Sequence, residues 1–363
     1  MPPKVAIIYL SFHCEPYIDD VVSALKKITY PKDRLAFIIV DNPHPDYGSS
    51  VRYLQENILP MSGKDLPQTV ILPQEKNLGF AAGNNAGVKW ALENGFDYVY
   101  FHNNDGFLTS GAIEPLVKIM EGNREVGVVQ SLMLMYPETE LVNSAGNSYN
   151  YLGVAFCGNF RFKRGALNLK AGEEIGYASG AAMLARCELL KHYGNWDEDF
   201  FLYHEDLEYS LRLRSVGYKI VLAPDSIFYH KYNFSRNKDK FYYIERNRWG
   251  LMLMYYKWQT LLLLFPIGLA LEIGMMIFAY RDGWIKEKIS AYKYWFNIKN
   301  YKFWLAKRRH IQGVRMTTDK FLLSRAVATV NFNEKSIDNP ILKFVGNPLM
   351  AAYWWVAKII IVW

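Results

Sequence analysis

Acidic side chains crowd together inside the stretch Phe200–Arg214, where Glu205 and Asp206 follow an apolar lead-in. Leucines then recur at helical spacing until Gly217, so the two carboxylates are predicted in the first turn of a helix. Successive helix residues point about 100° apart, and like charges this close oppose joint ionisation, so the pair does not serve one site together. A carboxylate there can accept a proton or cap the helix. Taken alone, the pattern favours Asp206 as a cap for first-turn amides.

Potential metal ligands follow other predicted strands of the chain. The tripeptide Asn103-Asn104-Asp105 comes after the apolar run 98–101, and His230 comes after the run 226–229. An aspartate at a strand end can offer an oxygen to a hard divalent ion, an asparagine can offer a neutral oxygen, and a histidine can join them. The structural alternatives are a turn, for which Asn-Asn-Asp-Gly is strong chemistry, and a histidine that binds nothing.

The segment 77–87 (NLGFAAGNNAG) is rich in glycine and other small residues and precedes a helical pattern. Small residues let a backbone approach a ligand closely, and a helix start offers free amides to an anion. The glycine spacing differs from that of the dinucleotide fingerprint, and no Lys-Ser/Thr pair follows as in a P-loop. A tightly packed helix start is the alternative.

These residues must be positioned by alternating strands and helices, which predict a parallel sheet with helical crossovers. Ligands of such sheets bind beyond the carboxyl ends of the strands, where Ser11, Asp41 and Asp105 lie in the sequence. The predicted strands are 5–12, 35–40, 69–72, 98–101, 177–184, 219–222 and 226–229, and the predicted helices are 17–28, 50–57 and 81–94.

Composition sets broader bounds on the chain. Its 363 residues are 51% hydrophobic, which favours one large or two moderate folded domains over disorder. The net charge of +7 favours an anionic surface or substrate. Three cysteines without paired metal spacing suggest a reducing compartment, and the direct start on a strand-like run predicts no signal peptide.

After Tyr243 the sequence changes character. The run Leu261–Phe278 is long and apolar but carries Pro266 and Glu272, residues 280–309 mix Lys and Arg with aromatics, and residues 347–363 are apolar again. A span needs about 20 apolar residues, and a charge at its centre is costly. Basic residues mixed with aromatics suit the headgroup layer of an anionic bilayer. We therefore expect in-plane or partly inserted helices; a buried helical hairpin, a single spanning helix and a subunit interface are the alternatives.

Several motifs follow one another along residues 4 to about 240. They are Asp41, the segment 77–84, Asn103-Asn104-Asp105, Trp196-Asp197-Glu198-Asp199-Phe200-Phe201, Glu205-Asp206 and His230. In this order and spacing the chain resembles a family 2 glycosyltransferase, especially the rhamnosyltransferase-like branch. The resemblance implies the GT-A fold, a nucleotide-diphospho-sugar donor such as dTDP-rhamnose or a UDP-sugar, and inversion at the anomeric carbon. It also implies a divalent cofactor, Mn²⁺ or Mg²⁺.

The resemblance also implies roles for matching residues. Asp206 matches the catalytic base. Asp105 and His230 match metal-binding positions, although Asn103 stands where the family carries the first acid of Asp-x-Asp. The nucleotide-sugar-binding positions are Ser11, Asp41, Asn77, Gly79, Asn84 and Asn104, and the acceptor-binding positions are Trp196, Asp197 and Glu205.

The implied organisation is a catalytic domain over residues 1–243 and a helical membrane-associated region over residues 244–363. The expected partners are the donor, a glycan or lipid-linked acceptor and an anionic membrane surface at the cytoplasmic face, with no nucleic acid. A homo-oligomer stays open, and so does a non-catalytic adaptor that only binds nucleotide-sugar. A dehydrogenase lacks its fingerprint here, and a nucleotidyltransferase lacks its basic glycine-rich loop after the first strand.

Overall fold

The computed structural model describes residues 1–231, 238–331 and 340–363, and it divides the chain into two compact units. Unit 1 comprises Met1–Gly146, Cys157–Phe201 and Tyr218–Asn233, and unit 2 comprises Asn147–Phe156, Leu202–Gly217 and Phe234–Trp363. The second unit therefore includes the stretch around Asp206, which lies before the boundary expected near residue 243. That boundary stays a prediction, because a compact unit need not fold alone.

The predicted elements occur in the predicted order along the chain, but the strand predicted over 177–184 begins only at residue 182. The helices at 113–122 and 187–193 and the strand at 106–108 were not predicted. The strands are β1 (Val5–Ser11), β2 (Leu35–Asp41), β3 (Gln68–Pro73), β4 (Tyr98–His102), β5 (Gly106–Leu108), β6 (Val126–Met135), β7 (Val142–Ser144), β8 (Asn147–Tyr149), β9 (Ala155–Cys157), β10 (Ala182–Arg186) and β11 (Lys219–His230). The helices are α1 (Ile18–Lys26), α2 (Val51–Asn57), α3 (Gly79–Glu93), α4 (Ile113–Gly122), α5 (Cys187–Tyr193), α6 (Glu205–Ser215), α7 (Lys240–Tyr255), α8 (Trp258–Arg281), α9 (Ile285–Phe296), α10 (Ile298–Val314), α11 (Asp319–Leu322) and α12 (Asn347–Ile360).

Unit 1 is built on a nine-stranded sheet in the order β3-β2-β1-β4-β10-β6-β11-β5, with β7 beside β6. Strands β1, β2, β3, β4, β6 and β11 run in one direction, and β5, β7 and β10 run against them. The predicted α/β fold with a mostly parallel central sheet is confirmed. The two strands predicted at 219–222 and 226–229 are one strand, β11, whose register with β6 shifts between Ala223 and Ile227.

Strand β1 is buried along its whole length and carries helices on both faces. Val5, Ile7 and Tyr9 share a core with α1 and α4. The opposite face meets α3 very closely, since a β-carbon at Gly83 would lie 2.6 Å from Leu10 Cδ1, and Gly87 is as close to Ile8. The glycines of segment 77–87 are therefore explained mainly by helix–sheet packing.

Unit 2 is mostly helical, and a buried charge network holds three of its helices together. Glu272 of α8 accepts hydrogen bonds from Arg248 of α7 and from Lys288 and Tyr292 of α9. Glu245 of α7 accepts from the same two cations. The opposite charges, together with Tyr292, compensate the desolvation of the two carboxylates. Although burial opposes ionisation, the cations lower the pKa of Glu272 to about 2.

Helix α8 runs for 24 residues straight through Pro266. Among the described residues it is the one helix long and apolar enough to cross a membrane, with a mean hydropathy of 2.3 in its most apolar window. Length and composition alone are weak grounds for a span. Glu272 already lies in the protein-facing charge network, so the helix presents its charge inward and its apolar side chains outward.

Candidate active site

The ends of β1 and β2 place Ser11 beside Asp41, because the two residues are register partners in the parallel sheet. Both side chains are buried. Ser11 Oγ donates to Asp41 Oδ1 at 3.0 Å, Ser49 Oγ donates to Oδ2 at 2.5 Å, and the Ser50 amide donates to Oδ1 at 3.2 Å. Asp41 is thus fixed by three protein donors, and a ligand hydroxyl would meet it from the side of the exposed Ser49.

Asp105 and His230 come together at the same sheet edge. His230 Nε2 lies 3.0 Å from Asp105 Oδ1, and His230 Nδ1 lies 3.0 Å from Asn143 Oδ1. Asn103 Nδ2 also donates to Asp105 Oδ1, at 2.5 Å. Burial opposes ionisation of Asp105, but the His230 ring and these hydrogen bonds outweigh it and hold the pKa of that carboxyl below its usual value. Asp105 is therefore a carboxylate at neutral pH.

This pair offers a divalent ion one carboxylate and one imidazole, the donor set that suits Mn²⁺ in particular. An ion here would replace the hydrogen bond between His230 Nε2 and Asp105. Within the described ranges, no group of three or more His, Cys, Asp and Glu residues gathers around one point. The residues fit a metal that takes its remaining ligands from water or from a bound diphosphate.

Asn104 belongs to the same edge. Its Nδ2 donates to the carbonyl of Phe12 at 3.0 Å, and its own carbonyl accepts from the Tyr9 hydroxyl at 3.3 Å. These bonds tie the loop after β4 to the end of β1, so Asn104 holds the edge together.

The first amides of α3 are not free for an anion, contrary to the expectation for a helix start. The Leu78 amide donates to Asn42 Oδ1, and the Gly79 amide donates to Asn77 Oδ1. The Phe80 and Ala81 amides both donate to the carbonyl of Phe201. Since protein acceptors satisfy all four groups, an anion has no free amide at this end.

The described contacts of Asn77, Gly79 and Asn84 are with the protein itself. Gly79 has φ +77°, and a β-carbon there would lie 2.5 Å from the Phe201 ring. Asn77 is exposed and accepts from Asn42 Nδ2 at 2.9 Å, while Asn84 is buried and donates to the carbonyl of Phe80 at 3.0 Å. Their roles at a nucleotide-sugar stay predictions; of the three, Asn77 is the exposed one.

The two acceptor positions in unit 1 differ in exposure. Trp196 is only 3% exposed and packs its ring at 4.7 Å from Phe101 and 5.8 Å from Phe80. Asp197 is half-buried and accepts from the Asp199 amide at 3.1 Å. Asp197 can reach a ligand as it stands, whereas Trp196 supports the surface from below.

Asp206 lies in unit 2, in the first turn of α6, as predicted from the spacing. The residue that precedes the helix is His204, whose backbone is left-handed (φ 68°) and whose carbonyl accepts from the Glu208 amide at 2.8 Å. Asp206 is therefore inside the helix and is not its cap. Its side chain is half-buried, and its Oδ1 accepts from the Leu207 amide at 2.8 Å.

Glu205 differs sharply from its neighbour. It is 5% exposed, and its Oε2 has no hydrogen-bond partner among the described residues. Burial, reinforced by the charge of Asp206, raises the pKa of Glu205 well above its usual value. Glu205 is thus more readily protonated than an ordinary glutamate, and Asp206 is the member of the pair that solvent reaches.

The sequence did not predict two residues that support the candidate site, Glu208 and Asn143. Glu208 is buried, pairs with Arg212 and accepts from the Tyr255 hydroxyl at 2.5 Å, so it stabilises unit 2. The i,i+4 spacing of Glu208 and Arg212 was a readable signal. No signal pointed to Asn143 behind His230, because strand pairing brings it there from 87 residues away.

A family model described as "Glycosyltransferase like family 2" matches residues 2–251 of this chain. The chain belongs to this family. As a family 2 glycosyltransferase it is 23% identical, over 248 residues, to an N-acetylglucosaminyl-diphospho-decaprenol L-rhamnosyltransferase of Mycobacterium tuberculosis, a match that takes in 64% of this chain and 77% of the relative.

A solved structure shows the same fold, and a second one resembles the chain more weakly. A structure of GalNAc-T7 with UDP, GalNAc and Mn²⁺ aligns with a TM-score of 0.55 at 12% identity, over 70% of this chain and 48% of that one. A structure of S. aureus TarS aligns with a TM-score of 0.47 at 16% identity, over 69% of this chain and 40% of that one. This glycosyltransferase chain thus spans less than half of either solved chain. The expected family and GT-A fold are confirmed.

Proposed function

We propose that this chain transfers a sugar from a nucleotide-diphospho-sugar to a hydroxyl of a glycan or lipid-linked glycan, with inversion at the anomeric carbon. One observation carries the proposal: the family match over residues 2–251 contains every candidate site residue, from Ser11 to His230. The rhamnosyltransferase relative makes dTDP-rhamnose the first donor to test, and UDP-sugars come next.

In this proposal the half-exposed Asp206 is the general base. It accepts the proton of the acceptor hydroxyl, whose oxygen forms the new bond to the anomeric carbon while the bond to the diphosphate breaks. Glu205 is buried and points to another side of the helix, so its acceptor-binding role rests on the resemblance alone. At the sheet edge of unit 1, Ser11 and Asp41 hold the nucleoside.

Asp105 and His230 would hold Mn²⁺ or Mg²⁺ together with the donor diphosphate. The ion, when bound, offsets the negative charge that develops on the leaving diphosphate. Asp105 suits this role because its carboxyl is ionised at neutral pH, and His230 is oriented for it by Asn143.

The test is nucleoside diphosphate release from a panel of donors, with and without a disaccharide or lipid-linked acceptor. We expect acceptor-dependent release that stops with chelator and resumes with Mn²⁺. Donor binding without any release, for every donor and acceptor tried, would instead support a nucleotide-sugar-binding adaptor. Full release in excess chelator would support a transferase that needs no metal.

We also propose that unit 2 holds the enzyme on an anionic membrane surface at the cytoplasmic face, where a lipid-linked acceptor is within reach. Support comes first from the outer side of α8. Its large apolar residues are exposed while its acid points inward, the pattern of a helix that lies in the plane of a bilayer. The exposed residues are Leu262 (74%), Phe265 (66%), Leu269 (52%), Ile273 (58%) and Ile277 (63%).

The segment 341–362 adds a second apolar surface with cations inside it. Phe344 and Trp355 are about 70% exposed, and the exposed Lys343 and Lys358 lie among their neighbours. From residue 257 on, the described acids Glu272 and Asp319 are buried and Asp282 and Glu287 are half-buried, whereas exposed lysines are frequent. Lysines near anionic lipid contribute about 1 kcal/mol each, so this surface suits acidic headgroups.

Flotation of the full chain on anionic and on neutral vesicles tests this attachment. We expect flotation on anionic vesicles, and loss of it in the double variant Phe265→Glu with Ile273→Glu. Phe162→Glu removes an apolar residue of unit 1 that is 48% exposed, and it should float like wild type. A wild-type chain that stays soluble on anionic vesicles, or oligomerises through this surface, would contradict the attachment.

A further inference from the structure

The backbone just before Asp206 is held in an unusual conformation. Tyr203 (φ 66°) and His204 (φ 68°) are consecutive left-handed residues, and neither is glycine. A non-glycine residue in this region carries strain and persists only where its surroundings determine it. Something must therefore hold this segment, and its geometry fixes the direction in which α6 and Asp206 begin.

Asn247 of α7 holds this segment in place through hydrogen bonds. Its side chain is fully buried, and its Nδ2 donates to the carbonyl of Leu202 at 3.0 Å and to the carbonyl of Tyr203 at 2.7 Å. Arg246 Nε donates to Asn247 Oδ1 at 2.8 Å, which fixes the orientation of the amide. The Asn247 amide thus uses both hydrogens of Nδ2 as donors and its Oδ1 as an acceptor. A primary amide is the side-chain group that offers this combination.

The next residue of the segment, His204, is held by a contact outside α7. His204 Nε2 lies 3.1 Å from the carbonyl of Gly153, so that nitrogen carries the proton. Burial lowers the pKa of His204 to about 4, and the ring is neutral at physiological pH. The neighbouring carbonyl of Leu152 accepts from Arg248 of α7 at 3.2 Å. Asn247 of α7 thus holds the Tyr203 carbonyl directly, and Arg248 bonds the residue next to the one that the His204 ring contacts.

We propose that Asn247 is a positioning residue for the transfer reaction, which holds the segment Leu202–His204 so that Asp206 meets the acceptor hydroxyl. This inference rests on the proposed function, since it takes Asp206 as the base. A general base must lie within hydrogen-bond reach of its proton, and a misplacement of about 1 Å can cost about 100-fold in rate. Asn247 itself touches no reacting atom.

The variant Asn247→Asp tests this with almost no change in volume. It removes both donors and sets carboxylate oxygens against two carbonyls, so we expect kcat to fall about 100-fold. The donor affinity, measured by calorimetry, should stay within about twofold of wild type. The rate is divided by the concentration of donor-binding sites, so that unfolded protein does not lower kcat. Asn247→Ser keeps one hydroxyl donor and should lose about tenfold.

Asn300→Asp is the matched control, because Asn300 is a half-buried helical asparagine of the same unit whose Nδ2 donates to one carbonyl, that of Tyr294, at 2.9 Å. It should keep wild-type kcat. A kcat within threefold of wild type in Asn247→Asp overturns the inference. If that variant does not fold, a kcat within threefold of wild type in Asn247→Ser overturns it. A wild-type chain with no transfer at all would overturn the proposed function as well, which separates the two failures.

Discussion

Asp105 and Asp206 are both candidate carboxylates of the reaction, yet the chain presents them by different means. Asp105 follows β4, a strand paired on both sides, and its partner His230 ends another strand of the same sheet. Asp206 follows the left-handed Tyr203 and His204. Asn247 of α7 donates to the Tyr203 carbonyl, and the His204 ring bonds the Gly153 carbonyl. Regular strand pairing positions the first carboxylate, and specific side-chain hydrogen bonds position the second.

The difference has a consequence for tolerance to mutation. A strand end is fixed by many backbone hydrogen bonds, so the strands of unit 1 should keep their positions when a single side chain at their ends is lost. The segment before Asp206 depends on a few groups, so single substitutions in unit 2 should move the base.

The largest expected effect is on transfer itself. Asp206→Asn should lower kcat by about 10³-fold, because a carboxamide cannot accept the proton. Thermal unfolding and donor affinity should be unchanged, since Asp206 is half-buried and does not cap α6. A variant within a few-fold of wild type would exclude Asp206 as the base, and a collapse of stability would make its role structural.

The second prediction concerns buried charge in unit 2. Glu208→Gln should cost about 3 kcal/mol in the free energy of unfolding, because it leaves the buried Arg212 without its carboxylate. Chemical unfolding measures this. Glu56→Gln removes the acid of an exposed i,i+4 pair with Arg52 in unit 1 and should change stability by less than about 0.5 kcal/mol. Equal effects in the two variants would contradict the contrast between the units.

The pH dependence of stability involves one histidine from each unit. Burial lowers the pKa of His102 and of His204 to about 4, whereas an unfolded histidine titrates near 6.5. Between these values the unfolded chain binds more protons, so stability is fully present above pH 6.5 and falls as the pH drops toward 4. The loss should reach about 3 kcal/mol for each histidine.

His102→Asn and His204→Gln keep a donor near Nδ1 and Nε2 respectively, and each should remove its share of this dependence. Urea unfolding at pH 7.5, 6.5 and 5.5 measures it, with the exposed His192→Gln as the control that keeps the full slope. A slope unchanged in both buried variants would mean that other groups carry it.

The smallest effect is expected from the helix–sheet contact of unit 1. Gly87→Ala would place a β-carbon 2.7 Å from Ile8 Cγ2, and we expect a loss of about 1–2 kcal/mol in unfolding free energy. Gly122→Ala, in α4, meets nothing within 4 Å and should be neutral or slightly stabilising. If Gly87→Ala were neutral too, packing would not explain the glycines of segment 77–87.

The edge of unit 1 was predictable from sequence because its chemistry follows its periodicity. Apolar runs of strand length ended at Asp41, Asn104 and His230, and a parallel sheet brings such ends to one edge. The pairing of β7 and of β11 with β6, which brings Asn143 behind His230, is long-range, and no local pattern encodes it.

The surroundings of Asp206 were only partly predictable. Helical spacing gave α6, but the left-handed Tyr203 and His204 carry no glycine signal, and their holder Asn247 lies more than 40 residues on. Glu272 was expected to be costly unless paired. Its partners Arg248 and Lys288 come from two other helices, so the sequence pattern could not supply them.

The Pro266 turn of α8 has a mechanical consequence for unit 2. Pro266 has no N–H for the carbonyl of Leu262, and the next carbonyl, Leu263 O, accepts from the Tyr353 hydroxyl of α12 at 2.5 Å. This bond links α8 to α12, and both helices expose large apolar side chains. On a vesicle they would have to detach together, so their separate affinities combine into one long residence time, as in bivalent binding.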